Sequence, residues 1–310
     1  MIYVFSQGAN YKPAGGVKVL FDIVRTLNHA GLSTSLLING GEYNPSWFSD
    51  NNIPIESNIE KVTKNDVVVF HEETLWAFER IKQSGCKHII LNQGAHWSLV
   101  NFLGYNQTRC IYETSLGVLV NSDYTGKLVR QLFGANFKIR RFHIGIEPYF
   151  VTREKRNVIT YMPRRNSETA ECIVQYVQGK HPSWELMPLD DMAHIDVAAA
   201  MGKSKIFLSF GGPEGFGMPP LEAALCSCHV VGFDGFGGAE YFKPPLFTPV
   251  PFMDITAFIH AINRKIALFE TGQETNHYGM THSYLRNTYS KANFEQEIVH
   301  FFKELVSVDF

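Results

Sequence analysis

Short apolar runs and longer helical repeats alternate along the whole chain. Residues 2–6, 34–38, 66–70, 88–91 and 117–120 are runs of strand length rich in Val, Ile, Leu and Phe, and 138–142, more basic, also reads as a strand. Continuous apolar runs of that length, bounded by turn residues, predict strands buried on both faces. Between them, residues 17–30 carry Val17, Leu20, Val24 and Leu27 at helical spacing. Residues 74–85 predict a second helix, and another starts near Tyr124, where Ser122 or Asp123 can cap it. Residues 42–60 are polar and turn-rich. The pattern restarts in the second half. Strands are predicted at 157–161, 184–187, 205–210 and 229–233, with helices at 170–178, 195–201, 254–270 and 293–306. Strands alternating with helices predict α/β architecture with parallel sheets and right-handed crossovers. In such sheets ligands gather at the C-terminal ends of the strands. A length of 310 residues is too great for one ordinary core and predicts two domains.

Composition narrows the classes. Hydrophobic residues make up 45% and charged residues 19%, which is globular and not disordered. A formal net charge of -2 excludes a strongly basic nucleic-acid binder, so no nucleic-acid partner is expected. The five cysteines, Cys86, Cys110, Cys172, Cys226 and Cys228, form neither a disulfide framework nor a zinc pattern. Reduced thiols fit a cytoplasmic location. The N-terminus opens on an apolar strand with no basic region before it, so no signal peptide is expected. No apolar run reaches the roughly 20 residues that cross a bilayer.

The densest chemistry lies in the string GPEGFGMPPLEAAL, residues 212–225. It follows the apolar run 205–210, so it reads as strand, glycine turn and helix start. Gly215 and Gly217 allow a tight turn with uncovered N–H groups. Pro219 and Pro220 suit the first turn of a helix, where a missing N–H costs nothing. Glu214 and Glu222 flank that turn. A helix N-terminus with free amides suits a phosphate, and a carboxylate beside it can accept hydrogen bonds from sugar hydroxyls. Phosphate and sugar together suggest a nucleotide sugar. Gly15 and Gly16 repeat the phosphate geometry at the first helix, without the G-x-G-x-x-G of an NAD site. His71 and His96 each follow a predicted strand. Gly237 and Gly238 offer further backbone donors. Lys127, Arg130, Lys138, Arg140 and Arg141 concentrate positive charge, which suits an anionic acceptor or peripheral contact with a membrane surface.

The string EGFGMPPLEA, after an apolar strand and before VVGFDGFGGAEYF, resembles the signature of the family 4 glycosyltransferases, retaining enzymes of the GT-B fold. VLVNSDYTGKLV resembles that family's strand-serine-helix unit, and HIGIEPYF (143–150) its interdomain boundary. The resemblance is strongest over residues 117–150 and 157–242. It implies two Rossmann-like parallel-sheet domains facing each other across a cleft. These are an N-terminal acceptor-side domain at 1–150 and a nucleotide-sugar donor domain at 151–292. The helix 293–306 is expected to pack back on the first domain.

The resemblance also implies roles. Glu214 contacts the transferred sugar, and Glu222 holds the ribose, with Gly215, Phe216, Gly217 and Met218 lining the donor. A basic pair after the first strand of the second domain grips the pyrophosphate in that family. Arg164 and Arg165 stand there, although Thr169 occupies the place of the usual lysine. Guanidinium groups suit phosphate oxygens. At the place of the family's histidine after the strand at 88–91 stands Asn92 or Gln93, with His96 displaced by a few residues; His96 is assigned that catalytic role, with His71 and Gln93 as the alternatives.

The sequence contains no Asp-x-Asp, the metal-holding motif of the GT-A class. Arginines and helix N-termini stabilising the diphosphate fit a metal-independent site. The nucleotide-diphosphate sugar is then a co-substrate, and no cofactor or metal is expected. The acceptor implied is a hydroxyl of a glycan or lipid-linked glycan, in bacterial surface polysaccharide or lipopolysaccharide synthesis. Two alternatives share this pattern: a non-catalytic GT-B-like nucleotide-binding subunit, and a nucleotide-sugar epimerase.

Overall fold

A computed structural model describes residues 1–6, 14–39, 45–48, 52–100, 103–274 and 278–306. It divides into two compact units, Met1–Gly145 with Lys291–Phe310, and Ile146–Ser290.

In the first unit β1 (Ile2–Ser6), β2 (Thr34–Ile38), β3 (Ile55–Glu56), β4 (Val67–His71), β5 (Lys87–Asn92), β6 (Val118–Val120) and β7 (Ile139–Arg141) form one sheet, ordered β3-β2-β1-β4-β5-β6-β7. Each pairing is parallel: Ile2 lies opposite both Thr34 and Val67, and Val68 lies opposite His88. β1 is buried along its whole length, as a central parallel strand requires. Helices α1 (Gly15–His29), α2 (Phe78–Lys82), α3 (Tyr105–Glu113) and α4 (Asp123–Phe133) belong to the same unit. Ser122 caps α4, its hydroxyl accepting from the Thr125 N–H at 3.0 Å.

The last helix, α10 (Lys291–Val306), packs on α1 in this unit. Lys291 Nζ is 2.6 Å from Asp22 Oδ2, and the same buried carboxylate pairs with Lys18 at 2.9 Å. Glu297 closes on the His143 ring at 2.7 Å, and Phe294 meets Phe142 edge-on. These contacts place His143 with the first unit. Tyr149 and Phe150 lie in the second, packed on His194. The division therefore falls after Gly145, five residues before the expected limit of 150.

The second unit has β8 (Arg156–Tyr161), β9 (Glu185–Pro188), β10 (Ser204–Phe210), β11 (His229–Phe233) and β12 (Phe247–Pro249), ordered β12-β11-β10-β8-β9, again parallel throughout. Its helices are α5 (Ser167–Lys180), α6 (His194–Lys203), α7 (Met218–Leu225), α8 (Ile255–Glu270) and α9 (Gly279–Thr288). Phe258 of α8 stacks on Phe210 at the end of β10, with centroids 5.2 Å apart. Lys155 Nζ donates to the carbonyls of Ser204 and Cys226, each at 2.6 Å. These carbonyls end α6 and α7, where a cation opposes the helix dipole. Cys226 and Cys228 are buried beside this amine, and all five cysteines are free thiols.

Several elements differ from the sequence expectation, among them the short edge strands β3 and β12, which were not expected. The helix expected at 74–85 is a 3-10 stretch, Glu72–Ala77, followed by the one-turn α2. α3 and α9 had no apolar period to mark them. α3 buries Thr108, Ile111 and Tyr112, and α9 buries Leu285. Among the described residues, no helix is long and apolar enough to cross a membrane.

Candidate functional site

β10 delivers the chain to the glycine turn, and α7 carries it away. Every residue of β10 except Lys205 is buried, so the turn starts from a fixed point. Glu214 lies in that turn, its N–H donating to the Gly235 carbonyl at 3.0 Å. Its carboxylate is enclosed by glycines. A Cβ on Gly235, Gly211 or Gly217 would come within 2.7, 2.8 or 3.1 Å of Glu214 Oε1. Gly235 and Gly217 also have positive φ, +66° and +81°, so larger residues are disfavoured there on two counts. Burial pushes the Glu214 carboxyl up to about 7, and the Arg165 guanidinium pulls the other way. A carboxylate kept near its titration point beside a cation can stabilise a developing positive charge.

Gly217 opens α7 with no side-chain cap, and Pro219 and Pro220 occupy its first turn. Glu222 follows on the buried face, its side chain 3% exposed. His194, the first residue of α6, reaches it: His194 Nε2 is 3.0 Å from Glu222 Oε1. The other ring nitrogen, Nδ1, is 2.7 Å from the Tyr149 hydroxyl. The sequence offered no motif for His194, and Tyr149 stood in the boundary string HIGIEPYF with nothing to mark its partner, which lies 45 residues away along the chain.

Arg164 and Arg165 are exposed in the turn between β8 and α5. Asn166 ends that turn in the left-handed region, φ +46°, and its side chain donates to the Phe210 carbonyl at 2.8 Å. This amide therefore ties the arginine turn to the start of the glutamate turn. It is not spent on capping α5, whose N-cap makes no side-chain hydrogen bond. The structure thus brings Arg165, Glu214, Gly215, Gly217 and the N-termini of α5 and α7 to the C-terminal edge of one sheet.

Phe216 plays a different part from the one expected. Its ring is 2% exposed and packs against Tyr241 and Tyr289, 5.1 and 5.4 Å away, so only its backbone remains for a ligand. Met218 is half-buried at the first position of α7. The Gly237 and Gly238 amides are not free donors either. They bond to the carbonyls of Gly235 and Asp234 at 2.9 and 3.0 Å. Gly237 has a packing role instead: a Cβ there would sit 2.1 Å from the Gly215 carbonyl oxygen, so the two glycine turns touch backbone to backbone. Tyr241 anchors the same turn by donating to the Gly217 carbonyl.

The first unit holds a second group of residues. Gly15 and Gly16 are the first residues of α1, and the loop before them, 7–13, lies outside the described residues. Gln93 Nε2 donates to the Gly16 carbonyl at 3.0 Å. The Gln93 N–H donates to Glu72 Oε2, also at 3.0 Å. Glu72 is buried, which pushes its carboxyl up to about 7, and His71 lies 3.0 Å from it. Burial pushes the His71 ring down to about 4. His96 is half-buried in a 3-10 turn, its ring tilted against Trp97 with centroids 4.9 Å apart. Gln93, His71 and His96 therefore all stand at the C-terminal ends of β4 and β5. Glu72 is the buried acid among them, and its burial was not legible in the exposed-looking string HEE.

The basic surface is largely answered by acids. Lys138 and Arg140 lie 2.7 and 3.3 Å from Glu304, and Arg141 lies 3.6 Å from Asp123. Among the described residues, no group of His, Cys, Asp or Glu is arranged to hold a metal ion.

No family model matches the chain. It is 29% identical over 234 residues to an alpha-1,6-glucosyltransferase of Actinobacillus pleuropneumoniae serotype 7, covering 72% of this chain and 69% of that protein. Among solved structures it is similar to HepE from Anabaena in complex with UDP, with a TM-score of 0.74, 14% identity, and 98% and 99% of the two chains covered. HepE in complex with UDP-glucose superposes with a TM-score of 0.73 at 13% identity, covering 98% and 99%. Sucrose-phosphate synthase from Thermosynechococcus elongatus gives 0.70 at 13% identity over 99% of both chains. Two parallel sheets on this plan give the chain the GT-B fold of these structures, and in sequence it is similar to a glucosyltransferase.

Proposed function

We propose that the protein is a retaining, metal-independent transferase that moves a hexose, with glucose as the first candidate, from a uridine-diphosphate sugar to a glycan or lipid-linked glycan hydroxyl. The observation that carries this reading is the half-buried Glu214 carboxylate, ringed by glycines beside Arg165, in the same turn-helix unit as Glu222. Cleaving the anomeric C–O bond leaves positive charge on the sugar and negative charge on the diphosphate. Glu214 faces the first charge. Arg164, Arg165 and the uncapped start of α5 answer the second. Glu222 accepts from a ribose hydroxyl. Family resemblance supports front-face attack, in which the departing phosphate takes the acceptor proton, so Glu214 stabilises the sugar and does not attack it.

The glucosyl identity is supported by the Actinobacillus relative, and the uridine base by HepE with UDP-glucose. The cluster Glu72, Gln93 and His96 at the ends of β4 and β5 is the proposed acceptor side. Trp76 and Trp97, both exposed there, present indole faces of the kind that stack on sugar rings. A role in surface polysaccharide or lipopolysaccharide assembly at the cytoplasmic face of the membrane suits this donor. The test is incubation of the protein with UDP-glucose, UDP-galactose, UDP-N-acetylglucosamine and GDP-mannose without acceptor, reading nucleotide release. Slow release from UDP-glucose that disappears in Glu214→Ala is expected. Conversion of the donor into its epimer, or binding with no release from any donor, refutes transferase function.

A further inference from the structure

The proposed ribose contact is itself held by two residues to which no motif assigned that role. Glu222 is nearly sealed from water, and a buried carboxylate needs donors to stay charged. Within the second unit, His194 supplies one: its Nε2 is 3.0 Å from Glu222 Oε1. An ionised carboxylate only accepts, so Nε2 carries the hydrogen. In the neutral ring Nδ1 is then the acceptor, and it takes the Tyr149 hydroxyl proton at 2.7 Å. The three groups form a one-way chain, Tyr149 to His194 to Glu222. Each link is packed as well as bonded. The His194 ring lies 5.0 Å from the Phe150 ring, and 5.7 Å from the Tyr149 ring at a near-perpendicular 84°. Phe150 is in turn pinned by Arg286, which donates to its carbonyl at 2.6 Å.

This chain fixes one carboxylate oxygen and leaves the other. Oε1 is committed to His194, and among the described residues no protein donor is bonded to Oε2. We infer that His194, oriented by Tyr149, is the positioning residue that turns Glu222 Oε2 toward the donor's ribose and makes recognition depend on a ribose hydroxyl. The inference rests on the reading of Glu222 as the ribose contact. It adds a specificity device: a nucleotide lacking its hydroxyls leaves Oε2 buried without a donor, which is how buried acceptors reject analogues.

The experiment measures calorimetric affinity of the full chain for UDP and for 2′,3′-dideoxy-UDP. Wild type is compared with His194→Ala, His194→Gln and Tyr149→Phe. A hydrogen bond to a charged group supports a preference for UDP of roughly 10- to 100-fold. His194→Ala is expected to bind the dideoxy nucleotide as wild type does and to lose most of the preference. His194→Gln, whose amide can still donate to Oε1, is expected to restore it, and Tyr149→Phe to fall between. A merely structural role would weaken both nucleotides equally. That result, or a preference unchanged in His194→Ala, overturns the inference while leaving the ribose role of Glu222 intact. A wild type that does not prefer UDP overturns the ribose role itself, and the inference with it.

Discussion

Replacing Glu214 with Gln should stabilise the unliganded second unit at alkaline pH. Burial raises the folded-state carboxyl from 4.5 to about 7, a rise of about 2.5 units. At about 1.36 kcal/mol per unit this costs the folded state up to about 3 kcal/mol once the group is ionised. The sign follows from the direction of the shift. A raised carboxyl favours folding below pH 4.5, where it is protonated in both states. That advantage is lost as pH rises through about 7. Gln is neutral throughout. The variant should therefore match wild type near pH 4 and exceed it at pH 8, by up to about 3 kcal/mol. A domain of this size gains roughly 2–4 °C in Tm per kcal/mol. Trp184 is the one tryptophan of the second unit, so its fluorescence on heating reports that unit. Equal melting of Glu214→Gln and wild type at pH 8, or a loss confined to the variant, refutes the claim that the site stores an unfavourable carboxylate.

Other consequences follow from the same contacts. If Glu214 acts as a carboxylate, donor turnover should climb between pH 6 and 8, with its midpoint near the value of about 7 set by burial. A flat profile over that range, recorded with and without Glu72→Gln to separate the other raised acid, contradicts this. Gly235→Ala should cost about 1–3 kcal/mol from its positive φ and abolish turnover, because its Cβ would press on Glu214 at 2.7 Å. Melting and donor release check both effects. Lys155→Met should lower stability by about 1–3 kcal/mol, since the carbonyls ending α6 and α7 lose their donor. Its urea midpoint compared with wild type reads this out.

The parallel sheets were legible because their strands are unbroken apolar runs. β2 and β11 span the expected residues 34–38 and 229–233. Elements that bury little left no such mark, which is why α3 and α9 emerged only in the structure. The glutamate turn was readable for a similar reason, since its glycines and prolines punctuate a short string. Its surroundings were not. Gly235 and Tyr241 reach Glu214 and its turn by folding, and His194 meets Glu222 from 28 residues away along the chain. Phe216 shows what a motif leaves out. It sits inside the motif, yet its ring serves the core, as an aromatic flanked by Tyr241 and Tyr289 must. Sequence spacing identifies which backbone stands near a ligand, while side-chain direction depends on neighbours far along the chain.

The most direct test is a crystal structure of the protein soaked with UDP. The ribose hydroxyls should lie within hydrogen-bond reach of Glu222 Oε2, with the diphosphate at the start of α5 beside Arg164 and Arg165. A nucleotide bound anywhere else, or with its diphosphate held away from those arginines and from the turn at Glu214, contradicts the donor site described above.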